Sequence, residues 1–264
     1  MFKKRFSMIL LLLLLTACAP APSVPTEASV PEETVTAAVE MPTVPPTEAP
    51  TQMPSLPPHS GLYIPGVSVE DVILYFNEVC LDAEYTHAGD PSRLQKWISP
   101  ITYYIHGDPT PEDMETLNDF VRWLNTVEGF PGIYQTQEPA EANLNIHFCN
   151  QQDMLSLMGS GFDEMDGAVT FWYMDDVIYD AIICYRTDLA QHLRNSVILE
   201  EIYNGLGPIQ DTALRPDSII YGAFSEPQEL TAMDELILRL LYHPDLKCGM
   251  DAAACEEIIR NLYY

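Results

Sequence analysis

One stretch of the chain, residues 199–211, combines two adjacent carboxylates with polar side chains at regular spacing. Glu200 and Asn204 are four residues apart, so on a helix they lie on one face, one turn from each other. Glu201 is rotated from them by about 100°. Gly207 permits a sharp backbone turn, which would bring Gln210 back toward the same point. A metal-binding helix of the form HExxHxxGxxH has this spacing, with two ligands one turn apart, a glycine turn and a third ligand.

The segment resembles the active-site helix of metzincin peptidases, with each histidine replaced. Glu200, Asn204 and Gln210 stand at the three histidine positions. Glu201 matches the general-base glutamate, and Gly207 matches the glycine of the turn. The resemblance implies a zincin-like fold of the α+β class, in which a small mixed sheet is followed by a helix that carries the degenerate motif.

Downstream segments extend the resemblance. Residues 218–221 (Ser-Ile-Ile-Tyr) resemble the Met-turn, with Ile220 in place of the methionine and Tyr221 at its tyrosine position. Residues 230–234 and 240–242 resemble the Leu-Thr-x-x-Asp and Leu-Tyr elements that follow it in matrixins. The region of roughly residues 97–250 is also similar to an uncharacterised family of bacterial exported proteins that carry Glu-Glu-x-x-Gln-x-x-Gly-Leu at this place.

The replaced side chains change the chemistry that such a site can support. Catalytic zinc requires imidazole, thiolate or carboxylate ligands, whereas the amides of Asn204 and Gln210 suit hard cations and bind zinc poorly. No two of the six histidines are four residues apart, and His147 is the one best placed to fold inward. We therefore predict no zinc and no metal at these positions. We expect a hydrogen-bonded polar cluster instead.

Three functions remain open at this point. The first is a non-catalytic module that binds a peptide or a cell-envelope component. The second is an atypical metal-dependent or metal-free hydrolase with Glu201 as general base. The third is a structural envelope module. We favour the first. Zincins generally bind substrate along an edge strand, and the alternating segment Leu144–Phe148 predicts a half-buried strand that could serve as this edge.

Calcium is the one candidate cofactor. Residues 163–166 (Asp-Glu-Met-Asp) and the pair Asp175-Asp176 could bind it, as metzincin loops often do. No EF-hand pattern is present. Acidic loops are more often solvated, so calcium binding is a hypothesis about these loops alone.

Apolar periodicity and capping residues predict one domain of alternating helices and strands. In the predicted helix that begins at Thr231, Asp234 closes a capping box. The other helices are expected at residues 68–82, 110–128, 188–206 and 251–263. Strands are expected at residues 101–105, 144–148, 168–172 and 177–185.

The N terminus predicts export and lipid anchoring. Lys3, Lys4 and Arg5 precede the apolar run Met8–Leu15, which as a helix would span about 12 Å and is too short to cross a bilayer. The junction that ends in Cys18 resembles the lipobox of bacterial lipoproteins. It implies a signal peptide over residues 1–17, diacylglycerol on Cys18 and a place on the outer face of the bacterial cytoplasmic membrane. An ordinary signal peptide with a chance cysteine is the alternative.

Composition divides the mature chain into a tether and a domain. Residues 18–60 contain eleven of the 22 prolines and no aromatic residue, so they bury too little apolar surface to fold and predict a disordered Pro/Thr/Glu-rich tether. Residues 61–264 carry every Trp and Tyr. About 200 residues suffice for a single domain with its own core.

Charge and cysteine spacing bound the partners and the covalent links. The chain has 39 acidic and 12 basic residues, for a net charge of −27, which excludes nucleic acid and anionic lipid headgroups as partners. Contact with the membrane is then left to the lipid. No CxxC pair occurs among the five cysteines after Cys18. Cys248 and Cys255, seven residues apart around a predicted turn, are the first choice for a disulfide.

Overall fold

A computed structural model of the chain describes residues 62–81, 92–223 and 226–264. The predicted signal peptide, Cys18 and the tether lie outside these residues. The described part contains six α-helices: α1 (Val69–Leu81), α2 (Pro111–Leu124), α3 (Gln151–Met158), α4 (Gln191–Gly205), α5 (Ala232–Leu241) and α6 (Ala252–Leu262). Its six strands are β1 (Lys96–Trp97), β2 (Ile101–Gly107), β3 (Ile133–Gln135), β4 (Leu144–Cys149), β5 (Gly167–Met174) and β6 (Val177–Arg186).

The strands form one mixed sheet in which β3, β2, β4, β6 and β5 follow one another in space. The pairings β2–β3, β2–β4, β4–β6 and β1–β6 are parallel, and only β5–β6 is antiparallel. Strand β5 runs along one whole edge of β6. The strands β4 and β1 therefore share the other edge of β6. The predicted mixture of helices with a small mixed sheet is confirmed, and within the described residues β1, β3 and β5 each pair with a single strand.

Local signals account for several element boundaries. Asp175 and Asp176 have φ values of 53° and 64°, and they form the two-residue turn between β5 and β6. Thr110 and Asp113 make a capping box at the start of α2, as do Thr231 and Asp234 at the start of α5. The capping box on Thr231 was predicted from the sequence and is confirmed.

The sheet separates two apolar clusters. Its inner face buries alternate residues such as Ile101, Ile146 and Ile183 in the main core, which also contains Ile198 of α4. Its outer face carries a smaller cluster that includes Met154 of α3, Phe162 and Cys184. The second cluster covers only part of that face, so the outward side chains of β4 are half-buried.

The prediction that Leu144–Phe148 is an edge strand was wrong. β4 lies in the middle of the sheet, where Ile146 is aligned with Ile105 of β2 and with Ile183 of β6. The alternation was read correctly as one buried and one half-buried face. Its cause is the incomplete cover on the outer face and not a free edge.

The predicted bridge between Cys248 and Cys255 is also absent, because both residues are free thiols. The side chain of Cys255 is buried in α6, in the same core cluster as Cys80 of α1. The Cys248 thiol instead donates a hydrogen bond to the carbonyl oxygen of Lys96 at 3.7 Å. Cys248 lies in the loop before α6 and Cys255 in the helix itself, so their proximity in sequence does not direct their side chains together.

The remaining differences concern element ends and short elements. The helix predicted over residues 110–128 ends at Leu124, where the Asn125 side chain accepts from the backbone N–H of Ile133 and donates to its carbonyl oxygen. α4 begins at Gln191, three residues later than predicted. β1, β3 and α3 were not predicted. No helix in the described part of the chain is long and apolar enough to cross a membrane.

Candidate functional site

A small cavity that opens to solvent lies between the edge strand β5 and the second half of α4. One side is mainly apolar and comes from β5 and the turn before it. The other side carries the carboxyl and amide groups of α4 and of the loop that follows it. Its lining consists of Phe162, Met165, Gly167, Ala168, Val169, Phe171, Glu200, Glu201, Asn204, Ile209 and Asp211.

Buried polar contacts hold α4 at its beginning. Arg194 forms an ion pair with Asp113, and both side chains are buried. Gln191 donates to Asp113 at 2.7 Å and accepts from Thr110 at 2.9 Å. The start of α2 therefore fixes the start of α4.

Two aromatic side chains hold α4 at its end. The Trp97 indole N–H donates to the carbonyl oxygen of Gly205 at 2.9 Å, and the Tyr242 hydroxyl donates to that of Leu206 at 2.8 Å. These donors satisfy carbonyl groups that a helix C terminus leaves without partners. With both ends held, the second half of α4 presents its acidic residues at a defined distance from β5.

The turn after α4 requires glycine at position 207. Gly207 has φ of 132°, and a Cβ there would lie 2.6 Å from the backbone carbonyl oxygen of Gln95. The predicted turn at this residue is therefore confirmed. The residue that the turn brings into the cavity differs from the predicted one by one position. The backbone N–H of Gln210 donates to the Val79 carbonyl oxygen, and Asp211 lines the cavity in place of Gln210.

The segment that resembles a Met-turn, residues 218–221, contacts the loop that carries Asp211 and does not line the cavity. The N–H of Thr212 donates to the carbonyl oxygen of Ile220 at 2.8 Å, and Thr212 pairs with Tyr221 in an isolated bridge. The Thr212 hydroxyl donates to Glu78 of α1 at 2.5 Å. Ile220 and Tyr221 are thus not part of the cavity lining. They hold the residue next to Asp211.

The carboxyl groups of the cavity raise one another's pKa. Burial, with Asp211 and Asp166 nearby, raises the pKa of Glu200 to about 8. Burial raises the pKa of Glu201 well above its ordinary value, and Glu200 and Asp211 add to the effect. Ionisation of the pair is therefore disfavoured when no ligand compensates the charge.

The cavity contains polar groups that lack partners within the described residues. The Glu201 side chain is only 8% exposed and makes no hydrogen bond or ion pair there. The Oδ1 atom of Asn204 is buried and also has no hydrogen-bond partner. The predicted hydrogen-bonded cluster of Glu200, Asn204 and Gln210 is therefore not formed. Buried polar groups without a protein partner are satisfied by water, an ion or a ligand.

The donor set does not fit a catalytic zinc ion. The side chains that converge are two glutamates, one aspartate and an amide, and zinc sites are built mainly from histidine and cysteine. Among residues 62–81, 92–223 and 226–264, no three His, Cys, Asp or Glu side chains are grouped as metal ligands. His147 does not turn toward α4, because it stacks on His106 at 4.1 Å on the outer face of the sheet.

The acidic loops proposed for calcium have structural roles. Asp175 and Asp176 form the hairpin turn, and Glu164 is the third non-glycine residue with positive φ. Asp166 forms an ion pair with Arg186 at 3.4 Å. Calcium binding at these loops stays a prediction.

The fold and the site define a mixed α/β domain with a carboxyl-lined cavity beside its antiparallel edge strand. A family model described as a protein of unknown function (DUF2927) matches residues 70–261. The chain therefore belongs to this uncharacterised family. The match begins before and ends after residues 97–250, the region in which the sequence resembles a family of bacterial exported proteins. A comparison with curated proteins found no match.

Proposed function

We propose that this protein is an exported lipoprotein whose zincin-like domain binds an extended peptide of the cell envelope without cleaving it. The lipobox-like junction at Cys18 and the Pro-rich tether support lipid anchoring on the outer face of the cytoplasmic membrane. The zincin-like description is supported by the placement of α4 after the last strand of a mixed sheet, and by the glycine turn that follows it.

The observation that carries the proposal is that the edge of β5 beside the cavity pairs with no described strand. The N–H of Arg186 donates to the carbonyl oxygen of Asp166 at 3.2 Å. Bonded and non-bonded positions alternate along an antiparallel pair. Gly167, Val169 and Phe171 are then non-bonded positions, whose backbone N–H and C=O groups face away from β6. All three also line the cavity.

An extended peptide can use both features together. Its backbone would pair with Val169 and Phe171 as an added strand, and one of its side chains would enter the cavity. Each backbone hydrogen bond of such an addition contributes about 0.5–1.5 kcal/mol. The site lacks a ligand set for zinc, so binding is expected without hydrolysis.

A displayed library of random ten-residue peptides, selected on the mature chain with Cys18→Ser, tests the proposal. Selected peptides should lose binding when alternate residues of the peptide are N-methylated, because those groups can no longer pair with β5. Val169→Pro removes one edge donor and should weaken binding, whereas the matched variant Val169→Thr keeps the donor and should bind normally. Peptides that bind equally well with every backbone amide methylated would refute strand addition.

A metal-free hydrolase is the second candidate, and the raised pKa of the paired glutamates favours it. A carboxyl group with a pKa of about 8 can donate a proton near neutral pH. Incubation of the selected peptides with the mature chain, followed by mass spectrometry, distinguishes the two functions. Cleavage that is lost in Glu201→Gln would establish the hydrolase, whereas intact peptides agree with a binding module.

Lipid anchoring has its own test, independent of the cavity. Bacteria that express the full chain are grown with an alkyne-labelled fatty acid. The wild type should incorporate the label and sediment with membranes, whereas Cys18→Ala should lose both properties. Unlabelled protein in the wild type would point to an ordinary secreted protein. A structural envelope module would show anchoring without any peptide ligand.

A further inference from the structure

We infer that the cavity accepts the cationic side chain of an arginine or lysine, whose charge lies against Glu200 and Glu201. This inference rests on the proposed binding of a peptide along β5, and it names the side chain that enters the cavity.

The walls suit a long aliphatic stem. Phe162 and Met165, from the turn before β5, and Phe171, from β5 itself, supply apolar surface on one side. Lysine and arginine bury their methylene groups along such surfaces while the charged end reaches polar partners. A short polar side chain would leave these walls uncovered.

The polar side of the cavity, with Glu201 and Asn204, suits a group that only donates hydrogen bonds. The Oδ1 atom of Asn204 is buried and has no hydrogen-bond partner within the described residues. Glu201 is 8% exposed and makes no hydrogen bond or ion pair with a described residue. Ionised carboxylates and amide oxygens accept hydrogen bonds. Guanidinium and ammonium groups donate only, so they complement this set, and guanidinium can engage two carboxylates at once.

The charge that balances these carboxyl groups is not supplied by neighbouring arginines. Arg186 is engaged by Asp188 at 2.9 Å and by Asp166 at 3.4 Å. Arg194 is engaged by Asp113. No described Lys or Arg forms an ion pair with Glu200 or Glu201. The net charge of −27 adds a field that attracts cationic ligands to the domain.

The titratable groups that face the two glutamates all disfavour their ionisation. Asp211 and Asp166 raise the pKa of Glu200, and Asp211 also raises that of Glu201. Glu201 in turn raises the pKa of Cys184 and Tyr185 of β6, each of which is already raised by other causes. A bound cation reverses this balance, because it stabilises the charged carboxylates.

Butylguanidinium chloride, which resembles an arginine side chain, is the probe. The mature chain with Cys18→Ser is labelled with [¹³C-methyl]methionine, and Met165→Leu identifies the Met165 signal in the cavity wall. Titration should shift this signal saturably, whereas the neutral isostere N-butylurea should not. Glu201→Gln should weaken binding by at least about tenfold. Glu257→Gln, which removes an exposed carboxylate of α6, should bind like the parent.

Glu200→Gln, at the partly exposed side of the cavity, provides a second variant and should also weaken the binding. Equal shifts with butylurea, or unchanged affinity in both glutamine variants, would overturn the inference. Peptides that bind along β5 with no preference for arginine or lysine would overturn it too, while leaving the proposed function intact. Guanidinium binding in the cavity without any strand addition would support the inference and contradict the proposed peptide.

Discussion

Gly167 and Glu201 are packed so closely that a side chain at position 167 would require Glu201 and its neighbour Val197 to shift. A Cβ atom there would lie 2.8 Å from both Cγ and Oε1 of Glu201, and 2.4 Å from a methyl group of Val197. The first residue of β5 therefore determines how near α4 approaches the sheet. The buried carboxyl group of Glu201 lies at this contact, and the cavity opens beside it.

Gly167→Ala should destabilise the protein and displace the Glu201 side chain. The expected loss in the free energy of unfolding is about 1–3 kcal/mol, the range for overpacking a well-filled core. Urea unfolding monitored by circular dichroism measures it. Gly205→Ala is the matched control, because its Cβ would meet only side-chain atoms of Val169 at 3.3 Å and Ile183 at 3.5 Å. An equal loss in both variants would contradict the proposed contact.

Stability should fall as pH rises from 6.5 to 8. The pKa of Glu200 is about 8 in the folded protein and 4.5 ordinarily, so the folded state holds more protons than the unfolded state in this window. The free energy of unfolding then decreases with pH, by at most about 1.4 kcal/mol per pH unit for each proton. His147, whose pKa burial and His106 lower from 6.5 to about 4, acts oppositely below pH 6.5.

Urea unfolding at several pH values measures how the free energy of unfolding changes with pH. Two variants show whether Glu200 and Glu201 cause this slope. Glu200→Gln and Glu201→Gln mimic the protonated side chains, so each should flatten the slope between pH 6.5 and 8. Glu257→Gln should leave the slope unchanged, because that carboxylate is exposed. A slope that survives in both cavity variants would show that other groups cause it.

Asp234→Asn should be among the more damaging single changes. The carboxylate is fully buried, accepts from Ser218 at 2.7 Å and from Tyr75 at 3.2 Å, and also caps α5 through Thr231. An amide would meet these donors with an NH₂ group, so we expect a loss of about 2–4 kcal/mol. Urea unfolding of Asp234→Asn beside the exposed control Glu229→Gln checks it. A difference below about 1 kcal/mol would contradict the role assigned to Asp234.

Cys149 should react with iodoacetamide before the other four cysteines that follow Cys18. A hydrogen bond from Cys184 lowers the pKa of the half-buried Cys149 thiol, whereas burial raises those of Cys248 and Cys255. Because the thiolate is the nucleophile, mass spectrometry of tryptic peptides over time should show Cys149 modified first. Cys184→Ala should slow this reaction, and Cys248→Ala should not. Faster modification of Cys248 in the parent would refute the prediction.

Much of the local structure follows from residues close together in the chain. Ser68 and Thr231 begin helices because their side chains accept from a backbone N–H three residues on. Gly207 ends α4 because its φ of 132° is one that other residues rarely adopt. Such signals need only a few neighbouring residues, so they can be recognised without knowledge of the fold.

Pairing between distant segments could not be recognised in this way. β4 alternates like an edge strand, yet β2 and β6 flank it. The same alternation arises whenever one face of a strand is incompletely covered, and the cover comes from α3 and residues 160–165. Beside the cavity, the edge without a described partner strand belongs to β5, whose sequence is no less apolar than that of β6.

The sequence by itself determined the cavity's helix, its turn and the two glutamates, because spacing on a helix is a local property. Only the tertiary structure decided that Asp211 and not Gln210 completes the lining. The position of Asp211 depends on the hydrogen bond from the Gln210 N–H to the Val79 carbonyl oxygen. It also depends on the hydrogen bonds that Thr212 donates to Glu78 and to the Ile220 carbonyl oxygen. The close approach of Glu201 to β5 depends likewise on Gly167, since only packing across the sheet edge brings these residues together.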